Sequence, residues 1–315
     1  MANEAREFDA IVVGGGPAGL TAAMYLARAR RRVLVVEPGQ WGGNIALTET
    51  VENYPGLPRV TGAALGQAMK AQALSHGAEL LEAAALSLKT DGDWKILETT
   101  RGIFRCRGLI AATGTRPRRV GFAGETEFRG RGVSGCATCD GAFFRDQAVF
   151  VVGGGYAAAE EGVYLTQFAR HVTILLRKPD FSCAKSLADR AKSHEKITVL
   201  PNTVVESVTG EAFVTGVRYR NIATGAVTDY RAEPGQRVGV FVFAGYEPAT
   251  DWLGDQVQRD ENGYLTTNAA LETNIPNLYA AGDLRAKPLR QLVTATNDGA
   301  QSATTLDKSL GRMGS

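Results

Sequence analysis

The sequence contains few cysteines and few histidines, and this scarcity excludes two kinds of stabilisation. Four cysteines among 315 residues are too few for a scaffold that disulfides hold together. The three histidines stand singly at positions 76, 171 and 194. A zinc site needs a cluster of Cys and His ligands at short spacing, so we expect no metal.

The sequence also lacks an excess of charge and a long apolar segment. Its 35 basic and 33 acidic residues give a net charge of +2, which favours neither a nucleic-acid partner nor a membrane surface. No apolar run approaches the length that crosses a bilayer, and the polar first nine residues do not resemble a secretory signal. We therefore expect a cytoplasmic protein, with two domains on grounds of length.

A glycine-rich loop follows the first apolar run. The run Asp9–Val13 is typical of a buried strand, and a helix-like stretch extends from Leu20 to about Arg30. Between them stands Gly-x-Gly-x-x-Gly, formed by Gly14, Gly16 and Gly19.

The chemistry of this loop points to a dinucleotide. The glycines allow a tight turn, close approach of a pyrophosphate and packing of helix on strand. The next strand ends at Glu37, whose carboxylate can accept hydrogen bonds from ribose hydroxyls. The first module is predicted to bind FAD or NAD.

The same pattern returns in the second half. The strand Ala148–Val152 precedes Gly-x-Gly-x-x-Ala, and a helix-like stretch runs to about Ala169. The motif residues are Gly153, Gly155 and Ala158.

The acidic position differs in this second module. Where Glu37 stands in the first, the second has Leu176, followed by Arg177 and Lys178. Two cationic side chains at this position can bind the 2′-phosphate of a ribose. The second module is therefore interpreted as a site for NADPH or as a site that has lost its ligand.

The order of elements predicts an α/β protein with two Rossmann-like domains, the second inserted into the first. Each module continues into a hairpin-like segment, with turns at Asp91-Gly92 and Thr224-Gly225. The strand Leu278–Asp283 and the helix-like region after Arg290 are expected to return to the first module. The predicted domains are residues 1–117 with 248–315, and residues 118–247.

A pair of cysteines lies between the two glycine loops. In Cys136-Ala-Thr-Cys139-Asp140 the two thiols are close enough to form and reopen a disulfide. We interpret the pair as a redox dithiol that receives electrons from a bound nucleotide cofactor.

Taken together, these motifs resemble the low-molecular-weight thioredoxin reductase family of flavoproteins over nearly the whole chain. The resemblance rests on the two glycine loops, on the cysteine pair and on four shorter stretches. Those stretches are Thr48–Gly56, Ala112–Gly114, Gly245–Pro248, and Gly282-Asp283 with Arg290-Gln291. It implies two three-layer ββα domains joined by short linkers near Pro117 and Pro248, a homodimer, and thioredoxin as partner.

The resemblance also implies the roles of individual residues. Cys139 would face the flavin, Cys136 would attack the disulfide of the substrate, and Asp140 would carry protons. The residues that would hold FAD are Gly14, Gly16, Gly19, Glu37, Gly43, Asn53, Thr113, Gly282, Asp283, Arg290 and Gln291.

The electron donor is the point at which the sequence departs from the family. The family usually has His-Arg-Arg-x-x-x-Arg after the strand of the second module, whereas this chain has Leu176, Lys178 and Ser182 at three of those positions. NADPH is the favoured donor, bound by Gly153–Ala158, Arg177 and Lys178, and reduced ferredoxin and NADH stay open. Tyr156 is expected to crowd the pyrophosphate.

Two other functions stay open on the same scaffold. A dithiol oxidase would pass electrons from a small dithiol to oxygen without nicotinamide. A redox sensor would use the dithiol without turnover.

The two remaining cysteines are not part of these hypotheses. Cys106 and Cys183 are expected to be inert small apolar side chains.

Overall fold

The structure is a computed structural model that describes residues 5–48 and 50–313. It divides into two compact units. The first unit consists of the described residues up to Arg116 and those from Glu247 onward, and the second unit is Pro117–Tyr246. None of the described helices is both long and apolar enough to span a membrane.

Six α-helices and seventeen strands are formed by the described residues. The helices are α1 (Pro17–Arg28), α2 (Gly62–Ser75), α3 (Ala137–Asp140), α4 (Tyr156–Leu165), α5 (Lys185–Ser193) and α6 (Leu292–Met313). Strands β1–β9 are Arg6–Val13, Val33–Glu37, Glu79–Glu82, Ala85–Asp91, Trp94–Thr99, Gly102–Ala111, Thr115–Pro117, Val133–Ser134 and Ala148–Val152. Strands β10–β17 are His171–Leu175, Ile197–Leu200, Thr203–Gly210, Val214–Asn221, Val227–Arg231, Val238–Val242, Tyr246–Pro248 and Leu278–Ala280. Short 3₁₀ helices cover Gly43–Leu47, Gly141–Phe144 and Asp251–Gln256.

The first unit is built on a seven-stranded sheet in the order β3-β2-β1-β6-β5-β4, with β17 paired to β6. Strands β3, β2, β1, β6 and β17 are parallel, and β4 and β5 form an antiparallel extension. The central strands are apolar on both sides because helices cover one face and the 251–256 turn and the β4–β5 hairpin cover the other. The amino end of α1 therefore lies at the carboxyl edge of a buried parallel sheet.

The second unit repeats this plan with separate sheets. Its five-stranded sheet has the order β11-β10-β9-β15-β8, and strands β12-β13-β14 form a second, antiparallel sheet. Apolar side chains of α4 and α5 pack on one face of the parallel sheet, and valines of β12 and β13 pack on the other. This arrangement confirms the predicted α/β class with three layers.

The chain passes twice between the units. The strands at these crossings, β7 and β16, pair with each other. Within the first unit, Arg116 forms ion pairs with Glu247 and Asp251 at 2.8 and 2.5 Å.

The structure differs from the sequence prediction at two helix ends. The first helix ends at Arg28 rather than near Arg30, because Arg30 adopts a left-handed backbone with φ of 60°. Helix α4 ends at Leu165 rather than near Ala169. From Thr166 to Phe168 the backbone N–H groups donate to carbonyls three residues back, so the chain continues as turns rather than as α-helix.

Candidate active site

The first glycine loop connects β1 to α1 and needs glycine for steric reasons. Gly14 has φ of 113°, and a Cβ atom there would collide with the carbonyl oxygen of Ala112. A Cβ atom on Gly19 would collide with the carbonyl oxygen of Gly14. Gly16 is the N-cap of α1, so the free N–H groups of the helix point toward the loop. This combination suits a phosphate group.

Glu37 lies beside this loop and is buried. Its carboxylate accepts hydrogen bonds from the backbone N–H groups of Gly15 at 2.7 Å and Gln40 at 3.1 Å. Burial raises the pKa of this carboxyl, and the backbone N–H groups oppose that rise. The side chain is thereby fixed at the end of β2, next to the loop, as an acceptor for hydroxyl groups.

Gly43 closes the other side of the loop. It has φ of 58°, and a Cβ atom there would lie 3.0 Å from the Cα atom of Gly16. The two glycines therefore leave a narrow cleft at the amino end of α1 that any side chain would fill.

Three further predicted residues are linked by hydrogen bonds within the first unit. The Asn53 side-chain amide donates to Gln291 Oε1 at 3.1 Å. The Thr113 hydroxyl donates to the Ala249 carbonyl at 2.6 Å.

Gly282, Asp283 and Arg290 form the turn that follows β17. Arg290 donates from Nε to the Asp283 carbonyl at 3.2 Å and stacks on Tyr264, with Cζ 3.8 Å from the ring centroid. The Asp283 Oδ1 atom is buried and makes no hydrogen bond with the described residues. A buried acceptor of this kind, together with the glycine cleft, fits a polyhydroxylated dinucleotide such as FAD.

The sequence analysis missed two charged residues next to this turn, one in the segment after β17 and one on α6. Lys287 and Asp298 have side chains only 4% and 3% exposed, and Lys287 Nζ lies 3.0 Å from Asp298 Oδ2. Their spacing in the sequence resembles that of ordinary surface charges, so no sequence signal identified them.

The second glycine loop has the same backbone construction. Gly153 has φ of 147°, and a Cβ atom there would collide with the carbonyl oxygen of Phe243. Gly155 is the N-cap of α4, and Ala158 is buried beneath the loop.

Matching hydrogen bonds align the two loops residue by residue. The Gly14 N–H donates to the Val36 carbonyl at 2.8 Å, and the Gly153 N–H donates to the Leu175 carbonyl at 3.2 Å. The residue after Val36 is Glu37, and the residue after Leu175 is Leu176. Leu176 therefore occupies the place of Glu37, but it is an apolar, buried side chain.

The basic residues beyond Leu176 remain on the surface. Arg177 and Lys178 are exposed, and neither side chain forms an ion pair within the described part of the chain. Ser182 instead folds back on the loop, and its N–H donates to the Gly154 carbonyl at 2.7 Å. Tyr156 is 59% exposed, and its hydroxyl donates to Glu160 Oε1 at 3.3 Å.

The cysteine motif forms α3 and the turn before it. Cys136 is disulfide-bonded. Its N–H donates to Ser134 Oγ at 3.1 Å, and its Sγ lies 3.4 Å from Thr138 Oγ1. The backbone of Cys139 belongs to α3, and its side chain lies outside the part of the structure that is described.

Asp140 ends α3 and is half-buried. Its N–H donates to the Cys136 carbonyl at 3.2 Å, while its carboxylate caps no helix. Asp140 lines a cavity of about 630 Å³ that Ser134, Phe143 and Arg237 also line. Phe143 is 75% exposed, so an apolar side chain and an acidic one flank this cavity beside the cysteine motif.

The two other cysteines have no place in this site. Cys106 is free and fully buried in β6, where burial raises its pKa to about 12. Cys183 is free and half-buried against the apolar core of the second unit.

Known proteins match this chain along nearly its full length. The profile of the pyridine nucleotide-disulphide oxidoreductase family matches residues 8–299. The thioredoxin reductase of Peptoclostridium litorale is 42% identical over 303 residues, which cover 96% of each chain. A bifunctional thioredoxin reductase/thioredoxin of Mycobacterium leprae is 41% identical over 303 residues, covering 95% of this chain and 65% of that protein. The crystal structure of Lactococcus lactis thioredoxin reductase superposes with a TM-score of 0.88 at 37% identity, covering 97% of this chain and 99% of that one.

These matches, with the two glycine loops and the cysteine motif, establish the family. The chain belongs to the pyridine nucleotide-disulphide oxidoreductase family and is an FAD-dependent disulfide oxidoreductase.

Proposed function

We propose that this enzyme is a thioredoxin-disulfide reductase whose electrons pass from NADPH through FAD to the dithiol of Cys136 and Cys139. The observation that carries the proposal is the disulfide at Cys136, next to Asp140 and an open cavity. The names of the relatives support thioredoxin as the partner, and one relative carries thioredoxin in the same chain.

The first unit is proposed to bind FAD. Gly14, Gly16, Gly19 and the amino end of α1 would receive the pyrophosphate, and Glu37 would accept hydrogen bonds from a ribose. The remaining candidates are Gly43, Asn53, Thr113, Gly282, Asp283, Arg290 and Gln291. FAD, when bound and reduced by the electron donor, would pass two electrons on to the disulfide.

The dithiol chemistry follows from ordinary thiol–disulfide exchange. The Cys136 thiolate attacks one sulfur of the partner's disulfide, that S–S bond breaks, and a mixed disulfide forms. The departing thiolate takes a proton, for which Asp140 is the proposed donor. The Cys139 thiolate then attacks Cys136 Sγ, which re-forms the internal disulfide and releases the second thiol of the reduced partner.

NADPH is the proposed donor because two cations stay available where a 2′-phosphate would bind. Arg177 and Lys178 are exposed at the end of β10, beside Gly153, Gly155 and Ala158. The buried Leu176 offers no acceptor for a free 2′-hydroxyl, which disfavours NADH.

Reduced ferredoxin is the second candidate donor, favoured by the same Leu176 and by Ser182. Both residues stand where the resembling family has polar contacts to the nucleotide. Each lost charge-assisted hydrogen bond weakens binding by roughly 1.5–3 kcal/mol. With ferredoxin as donor, the second unit would serve as scaffold and docking surface.

The proposal includes a homodimer, on the resemblance to the family. It also includes a cytoplasmic location, where thioredoxin keeps thiols reduced.

The Cys136→Ser variant tests the proposal. It is expected to lose NADPH-dependent reduction of thioredoxin by about a thousandfold or more while it retains FAD. The matched control is Cys183→Ser, a free thiol in the same unit, which is expected to keep activity. Full activity of Cys136→Ser would refute the proposal, and loss of FAD from it would mean that the disulfide is structural.

A further inference from the structure

A buried cluster of charges stands between β17 and α6. The Lys287 and Asp298 side chains are nearly inaccessible, with Nζ 3.0 Å from Oδ2. Arg285 Nη2 lies 3.2 Å from the other oxygen of Asp298. Burying an ion pair strips both charges of water and gives little net stability. The cluster therefore requires an explanation other than stability.

The cluster fixes the turn after β17 against the first glycine loop. Asp298 Oδ2 accepts a hydrogen bond from the Gly282 N–H at 3.1 Å. At Gly282, φ is 84°, and a Cβ atom there would lie 2.9 Å from the Cβ atom of Ala18 on the first turn of α1. Arg290 holds the next carbonyl, that of Asp283. The backbone on both sides of the Asp283 side chain is thereby immobilised.

Lys287 also contacts the Asp283 carboxylate. Its Nζ lies 3.5 Å from Oδ1, the buried oxygen that makes no hydrogen bond with the described residues. Burial raises the pKa of Asp283, and Lys287 is the main group that opposes the rise. Arg290 also lowers this pKa, and Asp298 raises it. Lys287 thus supplies a positive charge 3.5 Å from a carboxylate whose ionised form burial disfavours.

We propose that Lys287, held by Asp298, is a positioning residue that keeps Asp283 ionised and directed toward hydroxyl groups of the FAD polyol chain. This inference rests on the proposed function, since it requires FAD at the first glycine loop. An ionised carboxylate only accepts hydrogen bonds, whereas a protonated one loses part of that capacity. Lys287 therefore controls how firmly FAD is retained as the pH falls.

The test measures FAD release from the holoenzyme of the Lys287→Met variant. Release is followed by the rise in flavin fluorescence after dilution, at pH 6 and pH 8. Without the ammonium group the pKa of Asp283 rises further, so the carboxyl becomes protonated at a higher pH than in wild type and loses acceptor capacity there. We expect the ratio of the release rates at pH 6 and pH 8 to be larger in Lys287→Met than in wild type. The wild-type rates should agree within about twofold at the two pH values.

The matched control is Lys308→Met, which removes an exposed cation from α6. It leaves Lys287 and Asp298 in place, so its release of FAD should show the wild-type dependence on pH. If Lys287→Met does not fold, the double variant Lys287→Met/Asp298→Asn removes both charges of the pair. This double variant should again release FAD faster at pH 6.

Two results overturn different statements. Equal pH dependence in wild type and Lys287→Met, with FAD bound in both, would refute the role of Lys287 alone. A wild-type protein that is purified without FAD, and takes up none, would refute the proposed function itself.

Discussion

Glu37 and Leu176 occupy equivalent positions in the two units but offer a nucleotide opposite chemistry. Glu37 is a buried carboxylate that two backbone N–H groups orient, and Leu176 is a buried apolar side chain. The hydroxyl groups of a ribose can donate hydrogen bonds to the Glu37 carboxylate, whereas the Leu176 side chain offers them no acceptor. This difference separates a unit suited to FAD from one that needs another contact to hold a cofactor.

The Glu37→Gln variant tests the role of this carboxylate. The amide keeps the size of the side chain and one acceptor, but it loses the charge-assisted hydrogen bonds. We expect FAD to bind about 5- to 30-fold more weakly, as losing about one or two kcal/mol implies. Equilibrium dialysis of FAD measures the effect.

Glu82→Gln is the matched control for this variant. Glu82 lies directly opposite Glu37 in the pairing of β2 with β3 and is exposed. Its change should leave FAD binding as in wild type. If Glu37→Gln and Glu82→Gln weakened FAD binding equally, the effect would come from the negative charge at this edge of the sheet. It would then not come from a contact between Glu37 and the ribose.

Asp140→Asn tests proton transfer beside the dithiol. The amide cannot give up a proton at the pH of the assay, so turnover with thioredoxin should fall by about a hundredfold or more. FAD content and melting temperature should not change. Asp146→Asn, six residues beyond α3 and not among the residues that line the cavity, should be as active as wild type. A wild-type rate for Asp140→Asn at every pH would contradict the proton role.

Single residues were predictable where their chemistry depends on a local pattern. Glu37 and Leu176 follow from their distance to a glycine motif, and the aligned hydrogen bonds confirm that they correspond. Lys287 and Asp298 could not be predicted, because their burial results from the packing of α6 against β17 and α1. A sequence does not distinguish such charges from solvated ones.

At the scale of elements, α4 buries one of its own carboxyl groups. Glu161 lies near Tyr246, and its Oε2 atom is buried without a hydrogen bond among the described residues. Burial, with the nearby charge of Glu160, raises the pKa of Glu161 to about 7. Helix α4 therefore carries a group that is neutral below this pH and a buried charge above it.

The raised pKa gives the stability of the protein a defined dependence on pH. The folded protein binds the proton more tightly than the unfolded chain, so the free energy of unfolding falls as pH rises from about 4.5 to about 7. Glu161→Gln removes this loss. We expect the variant to gain up to about 3 kcal/mol at pH 8, which is what a shift of the pKa from 4.5 to about 7 is worth, and nothing near pH 4.5. Melting temperatures at both values measure the gain.

Glu160→Gln serves as the control in the same helix. Glu160 is exposed, so its change should give a much smaller gain at pH 8. A gain for Glu161→Gln that is equal at both pH values would contradict the buried charge.

Strands were predicted well where the sequence has a short apolar run, whereas the first and last residues of other elements were predicted less well. The strand Ala148–Val152 has the predicted bounds. Strand β6 begins at Gly102, well before the apolar run at Leu109, because β5 pairs with its more polar first half. The antiparallel pairing of β6 with the preceding strand β5 decided this boundary, and the hydrophobic pattern of the apolar run alone does not indicate it.

At the scale of the whole molecule, the two units repeat one strand order. Strands β3-β2-β1-β6 correspond to β11-β10-β9-β15, with a glycine loop after β1 and after β9. The duplication was predictable because each copy carries its own motif. The proposed electron path needs both copies, one for FAD and one for the nicotinamide, with the dithiol on the second.

The most direct test of this account is anaerobic reduction of the bound flavin, followed by its visible absorbance. NADPH, NADH and chemically reduced ferredoxin are offered separately to wild type and to a variant with Arg177→Ala and Lys178→Ala. We predict fast bleaching of wild type by NADPH and a loss of roughly a hundredfold in NADPH affinity in the variant, as two lost ionic contacts imply. Bleaching by ferredoxin, with none by either nicotinamide, would contradict the account.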